Sequence, residues 1–174
     1  MAEPAPQPAA VGPGTIDLFR SVGFLSSQLG TANARQFRQI LAPTGLEPRQ
    51  FAVLRHVAAA EGQSQNALAD SLLIPPSRMV ALLDELEGRG LVERRPNPKD
   101  RRARALYLTR TGRKLLKEAV DVALAHEAKV SSVLGPGERE QLIGMLQRIA
   151  AFQDLIPGVH PELATGERPF EPEA

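Results

Sequence analysis

The chain has no cysteine and no tryptophan among its 174 residues, and aromatic residues make up only 4% of it. Without thiols, disulfides, thiolate catalysis, cysteine-ligated zinc and thiol redox sensing are excluded. With so few aromatic rings, a base-stacking platform for single-stranded nucleic acid is not expected. No apolar run approaches the roughly 18 residues of a membrane span. The first stretch, MAEPAPQPAAVGPG, has neither a basic region nor an apolar one, so it does not read as a signal peptide, and the cytoplasm is the expected compartment. The three histidines, His56, His126 and His160, stand at no metal-ligand spacing. Neither a phosphate-cradling glycine loop nor an H-E-x-x-H element occurs. No metal, cofactor or catalytic residue is expected, and the chain does not read as an enzyme.

Positive charge, by contrast, is concentrated in one place. From Gly88 to Lys117 stand eleven Lys/Arg (Arg89, Arg94, Arg95, Lys99, Arg101, Arg102, Arg104, Arg110, Arg113, Lys114, Lys117) against Glu93 and Asp100, a net of +9 in a chain of net +1. Within that stretch, Leu91–Arg95 and Ala103–Thr109 are strand-like and flank a tip of Pro96, Asn97, Pro98, Lys99 and Asp100, which predicts a β-hairpin. Such a concentration is the electrostatic footprint of a polyanion partner, most often nucleic acid; a solvated charged loop is the alternative.

Hydrophobic content of 43% and charged content of 24% fit one globular domain with a sizeable core. Pro4, Pro6, Pro8 and Pro13 mark residues 1–14 as a flexible arm, and Pro157, Pro161, Pro169 and Pro172 mark residues 157–174 as a flexible tail. A long amphipathic segment over Thr15–Leu41 carries Ile16, Phe19, Leu29, Phe37 and Ile40 and stops at Pro43. A second helix is predicted over Glu47–Ala60 with Pro48 in its first turn and a stripe of Phe51, Leu54 and Ala58. Ser64 is placed to cap a third helix, with Ala67, Leu68 and Leu72 facing inward. Pro75 and Pro76 open a fourth, whose Met79, Leu82, Leu83 and Leu86 form a buried stripe ended by Gly88 and Gly90. The acids Asp84, Glu85 and Glu87 read as solvated charges. After the hairpin, Thr109 caps a helix reaching about Leu134, with Leu115, Ala119, Val122, His126, Val130 and Val133 on one side. Gly135-Pro136-Gly137 then precedes a last helix over about Glu138–Leu155 carrying Leu142, Met145, Leu146, Ile149 and Phe152. Two helices joined by a short turn and followed by a hairpin make a winged helix-turn-helix, so the fold class is mainly α with a small β-hairpin wing.

The stretch Leu86–Gly112, LEGRGLVERRPNPKDRRARALYLTRTG, resembles the MarR family of bacterial transcription regulators. It carries Leu-Glu-x-x-Gly-Leu-Val-x-Arg, Asp-x-Arg and Leu-Thr-x-x-Gly elements at matching spacings, within a likeness running from about Leu46 to Leu116. The resemblance implies a homodimer, with residues 15–45 and 111–156 as dimerisation helices and residues 46–110 as a winged helix on double-stranded DNA with a pseudo-palindromic operator. It places Asp100 as organiser of the wing and Arg102 in the minor groove, where a narrow groove concentrates negative potential. Arg95, Lys99 and Arg101 are further wing contacts. Many family members carry Thr or Ser followed by Arg where this chain has Val80 and Ala81. The base-reading residue is therefore expected earlier, at Arg78 beside Pro76 and Ser77. Ser64 and Asn66, at the start of the third helix, suit a phosphate.

A small-molecule effector is also implied, in a region that includes Phe24, Phe37, Arg38 and His56 or His126; a core or interface role is the alternative for His126. The lack of cysteine argues against peroxide sensing and the lack of tryptophan against the family's urate-responsive branch. The function expected is a DNA-binding repressor released by a small molecule. A winged-helix protein-interaction module and a ligand-independent DNA-binding protein are the alternatives.

Overall fold

A computed structural model describes residues 17–97 and 100–165, and the side chains of all of these except 100–103 and 164–165. The elements follow the predicted order. They are α1 (Val22–Leu41), α2 (Pro48–Ala59), α3 (Gln65–Leu72), α4 (Pro76–Gly88), β1 (Val92–Asn97), β2 (Asp100–Leu108), α5 (Arg110–Val130) and α6 (Pro136–Phe152), with a one-turn α7 (Glu162–Thr165). No described helix is long and apolar enough to cross a membrane.

Residues up to Gln39 and residues from Ile40 onward form separate compact units. In the first, α1 starts at Val22 rather than at Thr15. The segment breaks at Ser21, whose extended backbone separates α1 from a 3₁₀ turn, Leu18–Arg20, that Asp17 caps by accepting the Phe19 N–H at 3.1 Å. Ile16 lies outside the described residues, and Phe19 and Leu29 are exposed.

In the second unit, Pro43 sits in a 3₁₀ turn, Ala42–Thr44, that stops α1, and Gly45 takes the left-handed φ of +67° that turns the chain toward α2. The buried stripe of α2 is Gln50, Val53, Leu54 and Val57. That corrects the predicted stripe: Ala58 is exposed and Phe51 half-buried. A polar residue joins the stripe because all its polar groups are satisfied, as described below. On α3 the buried residues are Leu68, Ala69 and Leu72, with Ala67 exposed. Ser64 caps α3 as expected, its hydroxyl accepting the Ala67 N–H at 3.1 Å. Leu73 closes the helix with a φ of +53°. On α4 Met79, Leu83 and Leu86 are buried and Leu82 is half-buried.

The hairpin is longer than its turn residues suggested. β1 runs through Pro96 to Asn97, and β2 begins at Asp100, with Arg95 opposite Ala105, Pro96 opposite Arg104 and Asn97 opposite Asp100. Register shifts between Pro96 and Asn97; a proline is tolerated there because it meets a bulge on a strand that is itself an edge. The segment leading into α3 lies along the other edge of β2 and joins this two-stranded sheet through one bridge. Gly62 N–H donates to the Leu106 carbonyl at 2.8 Å, Leu106 N–H donates to the Gln63 carbonyl at 3.0 Å, and Ser64 bridges Ala105.

Thr109 caps α5, its hydroxyl accepting the Gly112 N–H at 2.9 Å. Buried on α5 are Gly112, Leu116 and Ala119 rather than the full predicted row, and α5 ends at Val130, with Val130 and Val133 exposed. α6 starts at Pro136, two residues before the predicted Glu138. Glu138 reaches back to accept the Gly135 N–H at 2.8 Å and draws the break residues into the first turn. No residue of α6 is buried. Part of the predicted tail has defined structure: Arg55 donates to the Gly158 carbonyl at 2.9 Å, and Leu163 of α7 is buried.

Candidate nucleic-acid interface

α4 presents its buried stripe to the core and the row Ser77, Val80, Ala81, Asp84 to the outside, at helical spacing i, i+3, i+4, i+7. Pro76 occupies the first turn, where a missing N–H costs no hydrogen bond, and Ser77 and Arg78 follow on the surface. Asn66 is exposed in the first turn of α3, one residue past the Ser64 cap and its adjoining Gln65. The N-terminal turns of both helices are thus open to a partner.

The wing is fastened to α4 at its root. Arg94 of β1 lies 2.7 Å from Asp84 and also pairs with Glu87, which accepts the Arg94 backbone N–H at 3.1 Å. The same guanidinium reaches Gln65 of α3 at 3.4 Å. Its side chain is only 16% exposed. Burial lowers the Arg94 pKa, but hydrogen bonds to Glu87 and Asp84 outweigh it and hold the group above its ordinary value. Asp84 and Glu87 are therefore not simply solvated, as their position on the polar side of α4 suggested. Glu85 is not either, since it accepts from Gln50 Nε2 at 2.6 Å. Gln50 Oε1 accepts both the Glu47 N–H at 2.9 Å and Arg89 Nη1 at 3.1 Å, while Arg89 Nη2 donates to the Gly45 carbonyl at 3.0 Å. On the β2 side of the same root, Glu61 accepts the Leu108 N–H at 3.2 Å and pairs with Arg113.

Of the predicted wing contacts, Arg95 is exposed, pairs with Glu93 and lies 4.5 Å over the Tyr107 ring. This cation–π contact holds its stem along the strand. Lys99 lies outside the described residues; Asp100, Arg101 and Arg102 stand on β2, and their side chains, with the organising role expected of Asp100, lie outside them too. Arg104 and Arg110 are exposed.

The five effector candidates divide between the two compact units. Phe24, Phe37 and Arg38 belong to the first, Phe24 and Arg38 exposed and Phe37 half-buried. His56 and His126 belong to the second, both half-buried, with His56 Nδ1 2.9 Å from the Ala52 carbonyl. A recess between the end of α5 and the start of α6, lined by Leu124, Glu127, Ser131 and Arg139 among others, includes none of the five. Among the described residues no group of three or more His, Asp or Glu could hold a metal ion.

The sequence profile of the MarR family matches residues 44–103. A protein of Thauera aromatica named as a transcriptional regulator for the hcr operon is 32% identical over 146 residues, which span 79% of this chain and 88% of that protein. The chain belongs to the MarR family of transcriptional regulators. Among solved structures, the repressor CouR bound to a 23-mer DNA duplex is 36% identical, with a TM-score of 0.69 over 82% of this chain and 99% of that one. CouR from Rhodococcus jostii RHA1 bound to p-coumaroyl-CoA is 34% identical, with a TM-score of 0.67 over 78% and 96%.

The geometry explains the residues of the first and last of the three MarR-family elements. Leu86 and Leu91 are buried, Glu87 and Arg94 form the clamp, and Gly90 takes a φ of +67° to turn from α4 into β1. In the Leu-Thr-x-x-Gly element, Leu108 is buried, Thr109 N–H donates to the Leu91 carbonyl at 3.1 Å, and a Cβ on Gly112 would stand 2.0 Å from that carbonyl oxygen. Sequence reasoning counted Arg94, Arg89 and Arg113 as charge for a partner. Their acceptors lie 7 to 52 residues away, so only the family element around Arg94 offered a signal for the clamp.

Proposed function

We propose that this MarR-family chain is a homodimeric, sequence-specific double-stranded DNA-binding repressor released by a small molecule. The observation that carries the reading is the open face of α4 locked through Arg94 to a basic wing, in a chain 36% identical to a repressor solved on DNA. On this reading the N-terminal half of α4 enters the major groove, with Pro76, Ser77 and Arg78 nearest the bases and Arg78 bidentate to guanine. Arg102 reaches the adjacent minor groove, Asp100 organises the wing tip, and Arg95, Lys99 and Arg101 add phosphate contacts. Ser64 and Asn66 place the start of α3 against a phosphate, where helix N–H groups favour an anion.

Dimerisation through the flanking helices is supported by α6, which leaves Leu142, Met145, Leu146 and Phe152 exposed. Contiguous apolar faces of this kind mark a surface covered by a partner, and a second copy gives a two-fold operator with half-site centres about 10–10.5 bp apart. For the effector, the CouR complex points to CoA thioesters, with Phe24, Phe37, Arg38, His56 and His126 as the residues to vary. The chain performs no catalysis on this reading and works in the cytoplasm.

The test is binding of the purified protein to duplexes selected from a random library, across a salt series. A dimer with nanomolar affinity for an inverted repeat is expected, and Arg102→Ala lowers affinity on all sequences and reduces the salt slope by about one per subunit. Arg78→Ala instead narrows the gap between selected and random duplex. A monomer that enriches no duplex overturns the proposal, and an unchanged Arg102→Ala removes the wing from it. Thermal stabilisation by an aromatic CoA thioester checks the effector class.

A further inference from the structure

The outward row of α4 is unusual for a surface helix, because its centre is apolar. Val80 is 39% exposed and Ala81 beside it is exposed, with Ser77 one turn before and Asp84 one turn after. Valine loses rotamer freedom in a helix, so an exposed one contributes nothing to helix stability that a longer polar residue would not supply better. It is not among the buried residues of α4, which are Met79, Leu83 and Leu86 on the opposite face.

We propose that Val80, with Ala81 beside it, reads the C5 methyl group of a thymine in each half-site of the operator. The inference rests on α4 being the recognition helix, and it names what that helix recognises at its centre. Among the base edges in the major groove, the thymine C5-methyl is the projecting apolar group, and the purine N7 and exocyclic groups offer donors and acceptors. A side chain without polar atoms pressed against any other edge would leave that edge unpaired. Val80 therefore selects by fit to thymine and by rejection of the polar alternatives. The surroundings agree with a base-facing site. Ser77 and Arg78 flank it on the N-terminal side, and the one acid of the row, Asp84, is held by Arg94 at 2.7 Å, which offsets its repulsion of phosphates.

The experiment uses the full chain and the duplex recovered by selection. Each thymine is replaced in turn by deoxyuridine, which deletes only the methyl, and affinity is measured for the natural chain and for V80A. One thymine per half-site is expected to show an about fourfold loss, the weight of one buried methyl, and about fifteenfold when both half-sites are changed. V80A should weaken binding to the thymine duplex and be indifferent to deoxyuridine at that position. If a site is enriched but every deoxyuridine is silent, or V80A keeps the same penalty, the Val80 proposal falls while the DNA reading stands. If no duplex is enriched, both fall.

Discussion

The winged helix and helix α6 solve the problem of their side chains in opposite ways. From α2 to the start of α5, apolar stripes meet in one core, Gln50 is buried with every polar group answered, and no buried side-chain polar atom among the described residues lacks a partner. α6 has a comparable supply of leucine, methionine and phenylalanine, yet buries none of its residues and leaves Phe152 89% exposed. One region buries its apolar side chains within the chain, and the other leaves them uncovered, as the proposed dimer would require.

The contrast can be broken first at Gly112. Adding a Cβ there meets the Leu91 carbonyl oxygen, a backbone atom that cannot swing aside, so Gly112→Ala should cost about 3 kcal/mol in urea denaturation. Wild-type stability would show that the start of α5 is free to move off the Leu91 backbone. Leu146→Glu attacks the other region. It should raise the dimer dissociation constant about thirtyfold in sedimentation, roughly 2 kcal/mol, with helical content retained; an unaltered dimer would take α6 out of the interface. The smallest effect belongs to Arg94→Ala, which leaves Asp84 and Glu87 without their shared cation. A loss of about 1 kcal/mol is expected, discounted because both acids are well exposed, and removing Glu87 as well should recover part of it. A stable single variant with wild-type DNA affinity would make the clamp incidental.

Most of the fold was legible because proline, glycine and capping residues punctuate the chain: Pro48, Ser64, Pro76, Gly90 and Thr109 each stand at an observed boundary. The stripes were less legible where alanine and valine crowd a helix. On α2 and α3 several helical faces are nearly equally apolar, and the choice between Ala58 and Val57, or Ala67 and Ala69, is made by tertiary packing. The hairpin was drawn too short because Pro96 and Asn97 carry turn chemistry, and only the pairing with β2 shows that an edge strand accommodates them. At the candidate interface, the basic stretch and the open turns of α3 and α4 could be read directly. The clamp could not, because an ion pair between a strand and the preceding helix has no local period, and charge counting treats Arg94 and Arg104 alike.

Ser64 serves two elements at once: its hydroxyl caps α3, and its backbone pairs with Ala105 of the wing. The start of α3 and the inner half of the hairpin are thereby one stiff piece, a calliper of fixed span. On the proposed DNA reading, this bridge sets the distance within a subunit between the phosphate assigned to α3 and the groove assigned to the wing. A difference in operator length is then expected in the spacer between half-sites and not inside one.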